Sequence, residues 1–447
     1  MTLASTLEER RHELRKTQIV MIDGKLTSND HSVEAGRSAR AYEDGYWGFA
    51  AGADGRAPEQ LRDQALRNAR AMARFGARPA LPLPGAASQH RQAVAGRPAA
   101  PAAELIDRLT AAHALCLSQC EGLASVRLLA SEEEHLKDVS TSHGSAVHNR
   151  IRRAMVYIAL TSTDDEGRPI EVWERFSAKG SLDDIDLSTD ALRARLAVAN
   201  GHLQAKRHAV AARGGLHTVV MGPLLTGILA HEAMGHPCEA DIVLGGSIAG
   251  DLLGQRIASP LVSMVDVAHT WRGSEVMMPV YTDDEGTPAA DAVLIDRGVL
   301  KGFMHSRETA ARLGMAPTGS ARAYGPGDEP LVRMRNTVIL PGEQTVQQLI
   351  EGVDEGYYLV ATANGQADTT TEFMFGVTLG YEIKDGRLGR AIRDTTLSGS
   401  ALKVLASVDG VADDLEWEAT GYCGKKQPMV VSSGGPTLRA KAQLGGA

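Results

Sequence analysis

The chain has 447 residues, 43% of them hydrophobic, enough for more than one core, which excludes global disorder. Its formal net charge of −8 is diffuse and argues against a nucleic-acid binder, which needs a basic face. Glycine is frequent and aromatic residues are only 4%, a balance that suits turns and short strands.

In chain order, residues 2–15 read as a short charged helix. They lack the apolar run of a signal peptide, and no stretch of 18 apolar residues occurs anywhere. A cytoplasmic protein with no membrane association is therefore expected. Asp23-Gly24, flanked by apolar runs, signals a hairpin. Residues 57–75 read as a helix, with Leu61, Ala65 and Ala69 four apart. Pro79, Pro82, Pro84, Pro98 and Pro101 mark residues 78–103 as a loop. A second helix is expected over 105–123. On it, Cys116 and Cys120 stand four apart and read as a buried apolar pair, because four cysteines make no disulfide framework here. Residues 124–176 turn to strands, with Asp164-Asp165-Glu166-Gly167 as a turn between two of them. Residues 182–213 read as a long helix, closed by Gly214-Gly215.

The domain boundary is placed at that glycine pair. The expected fold is α+β: an N-terminal α/β domain over 1–213, with long helices on a sheet, and a strand-rich, mostly antiparallel β domain over 214–447 that carries the metal-site helix. In this second half, Asp296-Arg297-Gly298 turns between two short apolar runs. The clearest strand is 373–383. There Phe373, Phe375, Val377, Leu379, Tyr381 and Ile383 alternate with a second face. No tandem repeat is present.

Chemistry concentrates at His231-Glu232-Ala233-Met234-Gly235-His236. Pro223 suits the first turn of a helix leading into it. Two histidines at i, i+4 stand about 40° apart around an α-helix, whereas the i, i+5 interval here leaves about 140°. A regular helix cannot aim both at one metal. Either a π-bulge or unwinding at Gly235, with Pro237 blocking continuation, would bring them together. Far downstream, Cys423 stands alone in a glycine-rich turn, Gly421 to Lys426. Two imidazoles and a thiolate are a zinc-like donor set. A catalytic zinc keeps three protein ligands and leaves one position for water, whose pKa it lowers toward ~7. Glu232, beside His231, is placed to take that water's proton and give it to the leaving amine. Taken alone, a short His-Glu-x-x-x-His match more often marks ordinary core or surface histidines. Cys238 is a minor alternative ligand, and Glu239 and Asp241 read as outer or solvated acids.

The run Gly227 to His236, followed by Glu239-Ala240-Asp241, resembles the zinc motif of the TldD/PmbA peptidase family. So do later blocks: Asp283-Asp284-Glu285-Gly286-Thr287-Pro288, Gly298-Val299-Leu300-Lys301-Gly302, Arg333-Met334 with Asn336-Thr337, and Cys423-Gly424-Lys425 followed by Gly435-Pro436-Thr437-Leu438-Arg439. These blocks run in family order across 222–439. The N-terminal half is similar only loosely, through Gly48-Phe49-Ala50. The resemblance implies a zinc-dependent peptidase of the TldD type, with His231, His236 and Cys423 as Zn2+ ligands and Glu232 as base. It also implies unstructured peptides as substrates and a dimer, formed with a TldE/PmbA-like companion subunit that lacks the metal motif. The alternative is a non-catalytic assembly subunit with structural zinc, whose fourth ligand would come from Cys238 or Glu239. For substrate binding, the small residues before the clearest strand, including Asn364, Gly365 and Thr370, would let a peptide approach closely and add as a strand. Gly435 carries the same expectation. The other reading of these positions is a plain surface turn.

Overall fold

The computed structural model of the chain describes residues 6–446 apart from 77 and 95, and the side chain of Asn364 also lies outside what is described. The first half is built on a seven-stranded sheet. Its strands are β1 (Thr6–Ile22), β2 (Lys25–Glu43), β3 (Tyr46–Ala53), β4 (Gln89–Val94), β5 (Ser125–Thr141), β6 (Ala146–Thr163) and β7 (Pro169–Lys179). The order is β3-β2-β1-β5-β6-β4, with β7 also on β6. All pairs are antiparallel except β4 with β6. Helix α1 (Pro58–Ala73) buries Leu61 and Ala65 against Ala39, Ala41 and Ala50 of β2 and β3. Gly48 permits that contact, since a Cβ there would lie 2.1 Å from the carbonyl oxygen of Ala65. Helices α2 (Ala102–Gln119) and α3 (Thr189–Arg207) pack Leu109, Leu196 and Leu203 onto Val126, Leu128 and Ile158, and Cys116 and Cys120 are buried in that core.

Three sequence expectations fail here. Residues 6–22 form a central strand, not the charged helix expected over 2–15. Its buried face is Glu8, Arg10, His12 and Leu14, a period-2 pattern written mostly in polar residues and therefore invisible to hydropathy. The proline-rich loop also contains β4, an edge strand parallel to β6. The long helix expected over 182–213 is a short turn, Leu182–Asp184, followed by α3.

In the second half, β8 (Gly215–Met221) begins a closed ring of strands. It pairs with Leu438–Leu444, which pairs with Thr395–Ser400, then Glu372–Lys384, then Glu355–Ala367, which returns to β8. Phe373, Phe375 and Val377 fill the core as the alternation predicts. Beside the ring lies a six-stranded sheet whose last two members are Ser432–Gly435 and, at the edge, Glu416–Glu418. Helix α4 (Pro223–Ile228) leaves β8 and packs on Ser432–Gly435. Among the described residues, no helix is long and apolar enough to cross a membrane.

Buried charges join the two halves. Arg40 of β2 reaches Glu8 at 2.8 Å, the Glu285 carboxylate, and the carbonyl of Pro330. Lys206 of α3 is buried, and its ammonium donates to the carbonyls of Glu171 and Thr378 and to Asp394.

Candidate metal centre

The first two candidate ligands come from an irregular helix. Helix α4 passes without a break into a π-helical turn, Leu229–Gly235, and then a 3-10 turn, His236–Cys238. In a π-turn the hydrogen bonds run i→i+5, so residues five apart lie one above the other. The backbone N–H of His236 bonds to the carbonyl of His231 itself. The two rings meet edge to face, with centroids 5.1 Å apart. Of the two irregularities expected, the π-helical turn occurs, while Gly235 stays helical and the chain tightens into a 3-10 turn at Pro237 instead of unwinding. Gly235 is required by packing: a Cβ there would meet the Met334 sulfur at 2.3 Å.

The third candidate arrives from 187 residues downstream. Cys423 lies in a two-residue strand, Tyr422–Cys423, and its Sγ is 3.2 Å from Nε2 of His236. One donor atom each from His231, His236 and Cys423 lie within 4.8 Å of one another, and among the described residues they are the group able to hold a metal ion. The donor–donor edge of a tetrahedral zinc site is about 3.3–3.6 Å, given Zn–N near 2.0 Å and Zn–S near 2.3 Å. Small side-chain adjustments meet that requirement.

Charge fits as well as distance. Burial opposes ionisation of Cys423, but contacts with His231 and His236 outweigh it and pull the thiol down to about 4. Burial likewise opposes charge on His236, while Cys423 and Glu239 raise it to about 10. This thiolate–imidazolium pair is the metal-free form of a site where a cation displaces protons. Glu239, fully buried, holds Nδ1 of His236 at 2.7 Å. It thus meets the ring nitrogen that faces away from Cys423. Cys238 is fully buried outside the cluster, its thiol pushed up to about 12 by burial.

The Glu232 carboxylate sits 3.9 Å from Nε2 of His231 and 3.8 Å from Nε2 of His236. It faces both candidate nitrogens without bonding to either. A cleft of about 410 Å3 opens on His231 and Glu232. Tyr157 of β6 and Trp173 and Arg175 of β7 form one wall, and Leu224 and Ile228 of α4 form the other. A larger groove of about 810 Å3 on the N-terminal sheet, lined by Arg11, Arg37 and Arg62, touches none of the triad. Size alone would select the wrong cavity.

The expected substrate residues fall around this cleft rather than along it. Gly365 pairs with Phe375, whose ring would clash with any Cβ there. Thr370 is exposed in a turn, bonded to Asp368. Gly435 packs against Thr226 of α4. The cleft is lined instead by Thr362, Ala363 and Ser433.

Supports from the first half had no signal in the motifs. Tyr422 donates to Glu133 of β5 at 2.6 Å, and Arg153 of β6 donates to the carbonyl of Ala419. Arg333, fully buried, donates to the carbonyls of Cys423, Lys425 and Gln427 at 2.8–2.9 Å. Only its presence in a block resembling the family marked it out.

Residues 214–446 match the family described as PmbA/TldA metallopeptidase C-terminal domain. Nearly the whole chain aligns with a protein named metalloprotease from Methanothermobacter thermautotrophicus. The two are 31% identical, over 97% of this chain and 93% of the relative. A zinc metalloprotease TldD homolog from Saccharolobus solfataricus is 34% identical over about half of each chain. Among solved structures, a putative modulator of a DNA gyrase from Thermotoga maritima superposes with a TM-score of 0.79, at 19% identity over 99% of this chain and 96% of that one. A TldE from Thermococcus kodakarensis superposes with a TM-score of 0.75, at 18% identity over 99% and 97%. At such identities the likeness is one of fold.

Proposed function

The chain belongs to the PmbA/TldD metallopeptidase family, and from that premise we propose that it is a zinc-dependent peptidase acting on unstructured peptides. His231, His236 and Cys423 are the proposed ligands and Glu232 the general base. One observation carries this reading: two imidazoles and a thiol converge beside a carboxylate at the mouth of a cleft. Zinc, when bound, supplies Lewis-acid activation of water and of the scissile carbonyl. Glu232 takes the proton of the attacking water and passes it to the leaving amine nitrogen. His231 and His236 present their Nε2 atoms to the same side, and Glu239 keeps the second ring from turning.

The shape of the cleft supports that substrate class. A volume of about 410 Å3 admits a few residues of extended chain and no folded domain. Among the described residues two strand edges border it: β7, whose ladder partner is β6 and whose Glu171 and Arg175 carbonyls are bonded by Lys206 and Arg195, and Glu416–Glu418, whose ladder partner is Ser432–Gly435. Extended peptides bind such edges through main-chain hydrogen bonds, which tolerate varied side chains. The proposed partner is a companion subunit of the same fold, and the shared architecture with a TldE supports that pairing.

The test is metal content and cleavage of an unstructured peptide by the parent and by Glu232→Gln, each with and without the companion. The variant is expected to keep stoichiometric zinc and to lose activity about 10²–10⁴-fold, the usual contribution of a positioned base. Equal cleavage by parent and variant would remove Glu232 from the reaction. A parent that binds zinc but cleaves nothing in either pairing would favour a structural centre.

A further inference from the structure

We infer that Lys425 is a positioning residue of the metal centre, tying the loop that carries the thiolate to the carboxylate that orients one imidazole. The inference rests on the metal reading above and assigns a role to a side chain that neither holds the ion nor touches the reacting atoms.

Lys425 follows Cys423 by two residues and turns inward, whereas Lys426, at φ 56°, turns the chain and is exposed. The Lys425 side chain is 13% exposed. Its ammonium lies 3.2 Å from Oε2 of Glu239, 3.0 Å from both oxygens of Asp241, and donates to the carbonyl of Val332. Oε2 of Glu239 is thus shared by the Lys425 ammonium and by Nδ1 of His236. Among the described residues the other oxygen of Glu239 has no hydrogen-bond partner, so the contacts seen on this carboxylate run through Oε2. On the loop side, Arg333 grips the backbone at Cys423, Lys425 and Gln427. A continuous chain of contacts therefore runs from Cys423 through Arg333 and Lys425 to Glu239 and His236. It joins two ligands that are 187 residues apart.

Each link has a distinct task. Arg333 bonds only to carbonyls and fixes the path of the loop. Lys425 spans from that loop to the helix. Without its ammonium, the Glu239 and Asp241 carboxylates would face each other with no cation between them, and Glu239 would be free to leave Nδ1. An imidazole ligand whose outer partner is lost typically costs 10–100-fold in metal affinity.

Zn2+ affinity, measured against a chelating indicator, tests this on the parent, Lys425→Met, Glu239→Gln and the double variant, with Co2+ spectra of each. Each single change is expected to weaken Zn2+ binding about 10–100-fold. The double variant is expected to lose little more than the worse single, because the two side chains act as one unit. The Co2+ spectrum of Lys425→Met should also shift, since it reports ligand geometry and not fold stability. A Lys425→Met protein that binds Zn2+ within twofold of the parent and keeps the Co2+ spectrum would overturn the inference and leave the metal centre standing. Fully additive losses would overturn it too, making each residue an independent support. A parent that binds neither ion would instead overturn the metal reading itself, and this inference with it.

Discussion

A single thiolate sets the character of the centre. Two histidines alone would leave a neutral, two-donor site, and Cys423 adds both the third donor and the negative charge. Cys423→Ser keeps the size and replaces the thiolate with a hydroxyl that stays neutral at pH 7. Its loss in Zn2+ affinity is expected to exceed the 10–100-fold typical of outer-partner changes. A competition titration in which Cys423→Ser holds Zn2+ as tightly as the parent would place the third ligand elsewhere. At this scale the sequence was informative where the side chain itself states its chemistry, as with His231, Glu232, His236 and Cys423. It was silent where a side chain serves backbone atoms or another support. Arg333 binds three carbonyls, and carbonyls leave no pattern in a sequence. The link from Tyr422 to Glu133 joins residues 289 apart, with no spacing to betray it.

The helix that carries the histidines shows what an element can and cannot reveal. The i, i+5 interval demanded an irregular helix, and the local residues said where. The sequence left open a π-turn or unwinding at Gly235, and the chain takes the first, a π-turn through Gly235 that runs straight into a 3-10 turn containing Pro237. What the sequence could not show is the neighbour. Met334 packs so closely that Gly235→Ala would put a Cβ 2.3 Å from its sulfur and 3.0 Å from the Ala230 carbonyl. Such overpacking costs about 1–3 kcal/mol. Gly235→Ala is therefore expected to lower the stability of the metal-free protein by that amount and to weaken Zn2+ binding as the π-turn shifts. Adding Met334→Ala should return part of both losses, because a flexible sulfur-bearing chain is the main obstacle. If denaturation curves of parent and Gly235→Ala coincide, the close packing is not what shapes the turn. The contrast with β1 follows from which residues are buried. Strand 373–383 buries apolar residues and could be read directly, whereas β1 buries Glu8, Arg10 and His12 and could not.

Those same buried charges decide how the two halves of the molecule hold together. Arg40 stands between Glu8 of its own sheet and Glu285 of the other half, and Arg307 lies 3.6 Å from Glu8. The cleft, too, has walls from both halves. Burial, opposed by Arg40, holds the Glu8 carboxyl up at about 7 against an ordinary 4.5. A raised carboxyl pKa means that the folded state keeps the proton more readily than the unfolded one. The contribution of Glu8 to stability is thus full below pH 4.5 and is lost as pH rises through 7. Arg40→Met removes the cation shared by the two carboxylates. At pH 8 the buried Glu8 carboxyl would have lost the cation that most favours its charge, and the expected loss is about 3–5 kcal/mol, as for breaking a buried pair from one side. At pH 5 Glu8 can take up a proton, so the loss should be smaller. Adding Glu8→Gln should recover part of the pH 8 deficit and little at pH 5. Urea denaturation of parent, Arg40→Met and the double variant at both pH values makes the comparison. A deficit that is equal at pH 5 and pH 8, or one that Glu8→Gln leaves untouched, would mean that Arg40 stabilises the junction through its contacts with Trp47 and the Pro330 carbonyl rather than by balancing these carboxylates.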